Sequence, residues 1–215
     1  MFYQTQTAAL IDSIIPVNDF SRRVARDVAL IIGFSLFVAF MARFVIHLPF
    51  TPVPITGQTL AVLLTGAALG SWRGGIALAL YLVEGSFIPV FAGSSSFYFQ
   101  AGAAGYLLGF SSGESGLVWN MASGGYIIGF IPAAFVVGFL CEHGLDQRVW
   151  VFLAMLAGNI VLYIPGLIQL ALFVPEGKLL EFGLYPFILG DLVKLYIASL
   201  ALPTAWALVN RHHSH

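Results

Sequence analysis

The chain has 215 residues, a formal net charge of −1 at pH 7, and 9% charged against 59% hydrophobic residues. Soluble domains average about 25% charged residues, so this composition excludes an ordinary soluble globule, and the near-neutral charge gives no sign of a nucleic-acid partner. With Cys141 as its single cysteine, the sequence also excludes an intrachain disulfide and a multi-cysteine metal site. We therefore expect an integral membrane protein.

Residues 1–27 precede the first long apolar stretch and are predicted to be an N-terminal cytoplasmic lead-in, with a short interfacial helix over residues 8–15. Where the lead-in meets that stretch, Ala25, Ala29 and Gly33 recur every four residues. Small residues at this spacing let a second helix approach closely. This stripe predicts a helix–helix contact, either with a partner protein or within the chain itself.

Several apolar stretches approach the roughly 20 residues that cross a bilayer. We predict an all-α integral membrane domain over residues 28–209 and a C-terminal tail at 210–215. Its six transmembrane helices are predicted near residues 28–47, 56–71, 74–92, 118–141, 149–173 and 186–209. Within the Gly- and Ser-rich connection at 93–120, residues 101–110 are too short to span the bilayer and are predicted to form a re-entrant or capping segment.

The positive charges predict the orientation of this six-span arrangement. Six arginines fall on one side of it: Arg22, Arg23, Arg26, Arg73, Arg148 and Arg211. Because loops rich in Arg and Lys stay in the cytoplasm, the N- and C-termini are both predicted to be cytoplasmic. The loops at 48–58, 93–120 and 174–185 are then predicted to face outward.

One of these outer loops contains FTPVPITGQT at residues 50–59, a polar stretch between two apolar segments. Pro52 and Pro54 lack backbone donors and push the residues before them toward extended conformations. We predict a stiff lid segment that holds Gln58 over a ligand and loses little entropy when it closes.

Asp191 and Lys194, in the sixth predicted span, are the strongest candidates for a functional site. Their spacing of three residues places both on one helical face, and charges within a membrane are costly and usually functional. Gln58 starts the second span from the same outer side at a similar depth. These three residues predict a pocket open to the outside; an ion pair that only locks helices together is the structural alternative.

Four further residues complete the predicted substrate-binding set: Phe91, Ser123, Tyr126 and Tyr163. Asn159 is expected to hydrogen-bond between helices. Glu84 is expected either to join the pocket or to pair with a loop cation. Because the sequence has no phosphate-binding loop, metalloprotease helix or nucleophile elbow, we predict no enzyme activity, cofactor or metal site.

Four segments follow one another within residues 48–200: PFTPVPITGQTLAVLLTGAALG, YLVEGSFIPVFAG, SGGYIIGFIPAAFVVGFL and GDLVKLYIASL. Together they resemble the BioY family, the biotin-binding S components of energy-coupling factor (ECF) transporters. The resemblance implies six helices in a prokaryotic plasma membrane and capture of biotin from outside. It also implies assembly with a transmembrane coupling subunit and two ATPase subunits, through the stripe at Ala25, Ala29 and Gly33.

In the same resemblance, Asp191 and Lys194 match the family's Asp-x-x-Lys motif and Gln58 its loop glutamine. The ureido ring of biotin has two N–H donors and one carbonyl acceptor, which suit an ionised Asp191 and Lys194 through charge-assisted hydrogen bonds. The competing hypothesis is a self-sufficient secondary transporter or channel for a small solute, in which Asp191 and Lys194 relay protons.

Overall fold

The computed structural model describes residues 9–88, 90–92, 118–146 and 149–212. Its α-helices are α1 (Leu10–Ile14), α2 (Phe20–Met41), α3 (Gln58–Leu69), α4 (Ser71–Phe87), α5 (Gly124–Leu140), α6 (Val149–Leu170), α7 (Leu179–Gly183) and α8 (Tyr185–His212). Two strands pair in antiparallel fashion, β1 (Val45–Ile46) and β2 (Ile55–Thr56). A 3₁₀ turn (Val118–Asn120) precedes α5, and a π-helical turn (Cys141–Leu145) follows it.

The helices fit a multi-pass membrane protein. Within the described ranges, four helical stretches are long and apolar enough to cross a bilayer: α2, α5 with its π-helical turn, α6, and α7 together with α8. Helix α3 is apolar but has 12 residues, and α4 has 17. Each predicted span overlaps one of these helices, which confirms the helical membrane architecture. The number of spans and the sides of the termini remain predictions. The expected re-entrant segment at 101–110 lies outside the described residues.

The first long helix begins earlier than the sequence suggested. Helix α2 starts at Phe20 and ends at Met41, whereas the span was predicted at 28–47. Its start is set by Asp19, whose carboxylate accepts a hydrogen bond of 3.1 Å from the backbone N–H of Arg22 and so satisfies one of the free donors of the first turn. Residues 20–27, assigned to the lead-in, are therefore helical.

Helix α1 closes the end of the bundle where α3 meets α4. Leu10 and Ile11 are buried against the protein, and the interfacial position expected for residues 8–15 stays a prediction. Asp12 accepts from Arg73 at 2.6 Å and from Arg26 at 2.8 Å. The hydrogen bond from Arg73 and the charges of both arginines hold the pKa of Asp12 below its usual value of 3.8. This ion-pair cluster ties α1 to α2 and α4.

Helix α5 is the centre of the bundle. Of its most apolar stretch of 18 residues, 61% is buried, against 11% for the corresponding stretch of α2. Glycines make its close contacts possible. A Cβ on Gly66 of α3 would collide with the backbone carbonyl of Ala134, and one on Gly138 would collide with the backbone of Gly70 and Ser71. Small residues at helix contacts are how membrane helices gain packing contacts without a hydrophobic driving force.

The proline-rich loop is anchored at both ends and at its tip. Strands β1 and β2 join its ends, and the Thr51 hydroxyl donates to the backbone carbonyl of Phe182 on α7 at 2.6 Å. The same oxygen accepts from the Val53 N–H at 3.2 Å. These contacts hold residues 47–54 in place beside the N-terminal end of α3.

Candidate functional site

A cavity lies beneath the proline-rich loop, between α3, α5, α6 and α8. The described residues that line it are Val53, Pro54, Thr56, Gln58, Thr59, Ala92, Ser123, Tyr126, Ile127, Phe130, Leu162, Tyr163, Phe187, Asp191 and Lys194. Its volume is ≈ 50 Å³. The cavity is thus a narrow slot, smaller than the roughly 300–1,000 Å³ of typical small-molecule sites.

Asp191 is the centre of the polar end of this cavity. It is 5% exposed, and its Oδ2 accepts from the Tyr163 hydroxyl at 2.5 Å and from the Asn159 amide at 3.3 Å. Its Oδ1 accepts from the Lys194 ammonium at 3.2 Å. Helices α6 and α8 therefore hold the carboxylate from two directions.

Lys194 connects the same charge to α3. Its Nζ lies 3.2 Å from Asp191 Oδ1 and donates to the Thr59 hydroxyl at 2.9 Å. Asp191 and Lys194 are three residues apart on α8, so their side chains share one face, as the sequence predicted. An ammonium has three donors, and two of these have partners among the described residues, which leaves one for a ligand.

Two tyrosines form an aromatic wall next to the ion pair. The rings of Tyr126 and Tyr163 meet edge to face with centroids 5.7 Å apart. The Tyr126 hydroxyl donates to the carbonyl of Gly183 at 2.7 Å, and the Tyr163 hydroxyl donates to Asp191. With both hydroxyls bonded, the rings present their carbon atoms to the cavity.

Gln58 lies at the first turn of α3 and is 4% exposed. Its Nε2 donates to the Tyr81 hydroxyl at 2.6 Å, and that hydroxyl donates to the Val90 carbonyl at 3.1 Å. The chain of bonds holds the Gln58 side chain against α4. Tyr81 was not recognised from the sequence, since an isolated tyrosine in an apolar span carries no signal of a buried hydrogen bond.

The cavity brings together six of the seven predicted substrate-binding residues: Gln58, Ser123, Tyr126, Tyr163, Asp191 and Lys194. Phe91 is not among the described lining residues. Its ring is fully buried against Tyr81, with centroids 5.4 Å apart, and a Cβ on Gly85 would collide with it. The next residue, Ala92, lines the cavity instead.

Two other polar residues differ from, or add to, the sequence-based expectations. Glu84 does not line the cavity and accepts a hydrogen bond from the buried Ser35 hydroxyl, which links α4 to α2; neither expected role for Glu84 is observed. Asn159 bonds across helices, as expected, and its partner is Asp191. Thr59 was missed, although it directly follows Gln58 within the proline-rich motif.

The stripe on α2 faces away from the bundle. Ala25, Ala29 and Gly33 are exposed, and nothing in the described protein lies within 4 Å of a Cβ built on Gly33. The opposite face of the helix packs inward through Ser35 and Val38, both fully buried. Around the stripe lies an apolar groove bordered by Ala29, Leu30, Gly33, Phe34 and Phe37.

The cavity therefore suits a small ligand with one polar end and an apolar body. A carboxylate and an ammonium at its base offer an acceptor and a donor, while Ile127, Phe130 and Phe187 supply apolar walls. Within the described ranges, no group of three His, Cys, Asp or Glu side chains is arranged to hold a metal ion.

The chain was compared with known proteins. The model of the BioY family matches residues 15–113 and 109–211. Two relatives are both named biotin transporter BioY. The one from Rhizobium etli is 35% identical over 72% of this chain and 79% of its own length, and the one from Rhodobacter capsulatus is 34% identical over 78% and 90%. A crystal structure of the S-component for biotin from an ECF-type ABC transporter has the same fold (TM-score 0.65, 23% identity, 93% of this chain and 96% of that one).

Proposed function

Because this chain belongs to the BioY family, we propose that it captures biotin from the external side of the membrane and delivers it inward as the substrate-binding subunit of an ECF-type importer. It is a transport subunit rather than an enzyme. ATP hydrolysis is assigned to two partner ATPase subunits, which act through a transmembrane coupling subunit. The chain itself binds biotin as its transported ligand and uses no cofactor.

The buried pair of Asp191 and Lys194, at the polar end of an otherwise apolar cavity, is the main support for this proposal. A ureido ring has N–H donors for the carboxylate and a carbonyl acceptor for the ammonium. Hydrogen bonds to charged groups in a dry site are strong, and the thiophane ring suits the apolar walls. The relatives named as biotin transporters support the same ligand.

The substrate-binding residues we propose are those of the sequence-based set that line the cavity, namely Gln58, Ser123, Tyr126, Tyr163, Asp191 and Lys194. Phe91 then has no direct contact with the ligand, and it packs on Tyr81 behind the residues that line the cavity. The loop at 47–54 serves as the lid, since Val53 and Pro54 already border the cavity and Thr51 fastens the loop to α7. A preformed lid limits the entropy lost on binding.

We propose six spans, with both termini in the cytoplasm of a prokaryote and the cavity mouth outside. The arginine-rich ends support this orientation under the positive-inside rule: Arg26 and Arg73 lie with α1 at the end of the bundle opposite the lid. The short α3 is then a span whose outer part is completed by the lid.

The exposed stripe is the proposed docking surface for the coupling subunit. Ala25, Ala29 and Gly33 would let a partner helix approach the α2 backbone closely, and no described residue of this chain covers them. The alternative left open by the sequence, packing of the stripe within the chain, has no supporting contact among the described residues.

A second candidate function is a self-sufficient secondary transporter or channel. The hydrogen-bonded series Thr59, Lys194, Asp191 and Tyr163 favours it, because such intramembrane groups also serve as proton relays. A relay couples transport to a proton gradient, whereas an S component binds its ligand without one.

Accessibility of the cavity tests the direction of capture. In a Cys141→Ser background, a cysteine replacing Ser123, which lines the cavity and makes no side-chain cap bond, should react with an impermeant thiol reagent applied to intact cells. Biotin should slow that reaction because it fills the cavity and closes the lid. Rates of labelling with and without biotin measure the effect.

The matched control is a cysteine replacing His143, which is exposed in the turn after α5. It should react only after lysis, at a rate that biotin does not change. Labelling of both positions from the same side would contradict the orientation, and labelling of the Ser123 position at an unchanged rate in saturating biotin would contradict the assignment of the cavity.

A further inference from the structure

Asp191 has few acceptor positions left for a ligand. An ionised carboxylate offers about four lone-pair sites. Among the described residues, three donors already occupy them: the Tyr163 hydroxyl and Asn159 amide on Oδ2, and the Lys194 ammonium on Oδ1. One position remains, on Oδ1. A ureido ring brings two N–H groups that diverge from each other, so a single remaining acceptor cannot receive both.

Asn159 has a free acceptor next to this carboxylate. Its Nδ2 donates to Asp191, which fixes the orientation of the amide, because its oxygen would be repelled by a carboxylate. Its Oδ1 is buried and has no hydrogen-bond partner among the described residues. Buried polar atoms are nearly always bonded, and each exception calls for an explanation such as a missing ligand.

Asn159 lies beside the polar end of the cavity, although it is not among the described residues that line it. Asn159 precedes Tyr163 by four residues on α6, so both side chains lie on the same helical face. Both donate to the same atom, Asp191 Oδ2. The Asn159 amide therefore lies one hydrogen bond behind the carboxylate that borders the cavity, although Asn159 itself is only 7% exposed.

We propose that Asn159 Oδ1 is the second acceptor of the site: it receives one ureido N–H while Asp191 Oδ1 receives the other. Asn159 is then a specificity-determining residue that selects ligands with two ring N–H groups. This assignment rests on the proposed function, and it accounts for an unpaired buried oxygen that costs stability in the empty protein.

Asn159→Leu tests the assignment, since it removes the amide and places a side chain of similar size in an apolar span. The probes are biotin and its two lactam analogues, in which one or the other ring N–H is replaced by CH2. Calorimetry on the wild-type protein in detergent should show both lactams binding about tenfold or more weakly than biotin. Asn159→Leu should bind biotin about tenfold more weakly, and should bind one of the two lactams as well as it binds biotin.

Tyr163→Phe is the matched control, because it removes the other donor to Asp191 Oδ2 and leaves Asn159 intact. It should weaken biotin binding but still discriminate against both lactams. The assignment is overturned if Asn159→Leu binds biotin like the wild type, or discriminates against both lactams as Tyr163→Phe does. If the leucine variant does not fold, Asn159→Ala is measured in its place. Absence of biotin binding by the wild type would overturn the proposed function and this assignment with it.

Discussion

Replacing Asp191 by asparagine is expected to weaken biotin binding by about 1.5–3 kcal/mol, roughly 10- to 100-fold, the range for hydrogen bonds to a charged group. The amide keeps nearly the same shape and can still accept from Tyr163, so the variant should insert and fold. What it loses is the charge that holds the Lys194 ammonium and that, in the proposed complex, accepts a ureido N–H. Calorimetric titration of the purified variant measures the loss.

Asp19→Asn is the control for this substitution. Asp19 caps α2 from outside the cavity, and asparagine is an equally good N-cap residue, so biotin affinity should not change. The opposite outcome would show that the Asp191–Lys194 pair is only structural: most of the Asp191→Asn protein fails to fold, and the small fraction that folds binds biotin with normal affinity.

Replacing Ala25 and Ala29 together by leucine is expected to abolish ATP-dependent biotin uptake while leaving biotin affinity unchanged. Both side chains are exposed on α2, so added bulk should not disturb the described part of this chain but would keep a partner backbone out of van der Waals contact. The coupling subunit should no longer co-purify. Uptake by cells, co-purification and calorimetry together measure the three effects.

Ala201→Leu is the matched control, since Ala201 is an exposed alanine on α8, away from the stripe. It should leave uptake and co-purification intact. If the double variant on α2 transports biotin normally with its partner, the stripe is not the docking surface. If it loses biotin binding as well, the stripe supports the fold of this chain.

The core of the site could be predicted because the membrane sets the depth of each residue. With six spans assumed, Gln58, Asp191 and Lys194 were expected to enter from the same side at similar depth, and the cavity contains all three. The ion pair followed from helical spacing alone. The stiff lid segment was likewise inferred from a local pattern, the two prolines, and stays a prediction.

The sequence did not predict the contacts that depend on side-chain packing between helices. Thr59 of α3 meets Lys194 of α8, and Ser35 of α2 meets Glu84 of α4, so both contacts depend on how each helix is rotated about its axis. Hydropathy does not report that rotation. The start of α2 was misplaced because Arg22, Arg23 and Arg26 read as polar lead-in, although charged side chains are well tolerated in the first turns of a helix that reaches the membrane surface.

Titration of the purified wild-type protein with biotin in detergent, without nucleotide or a proton gradient, tests the central claim most directly. Riboflavin and thiamine serve as control ligands. The structure predicts saturable binding of one biotin per chain through the cavity at Asp191 and Lys194, and no heat of binding with either control. A protein that binds no biotin under these conditions, or that binds the controls equally well, would contradict the assignment of this chain as a biotin-binding subunit.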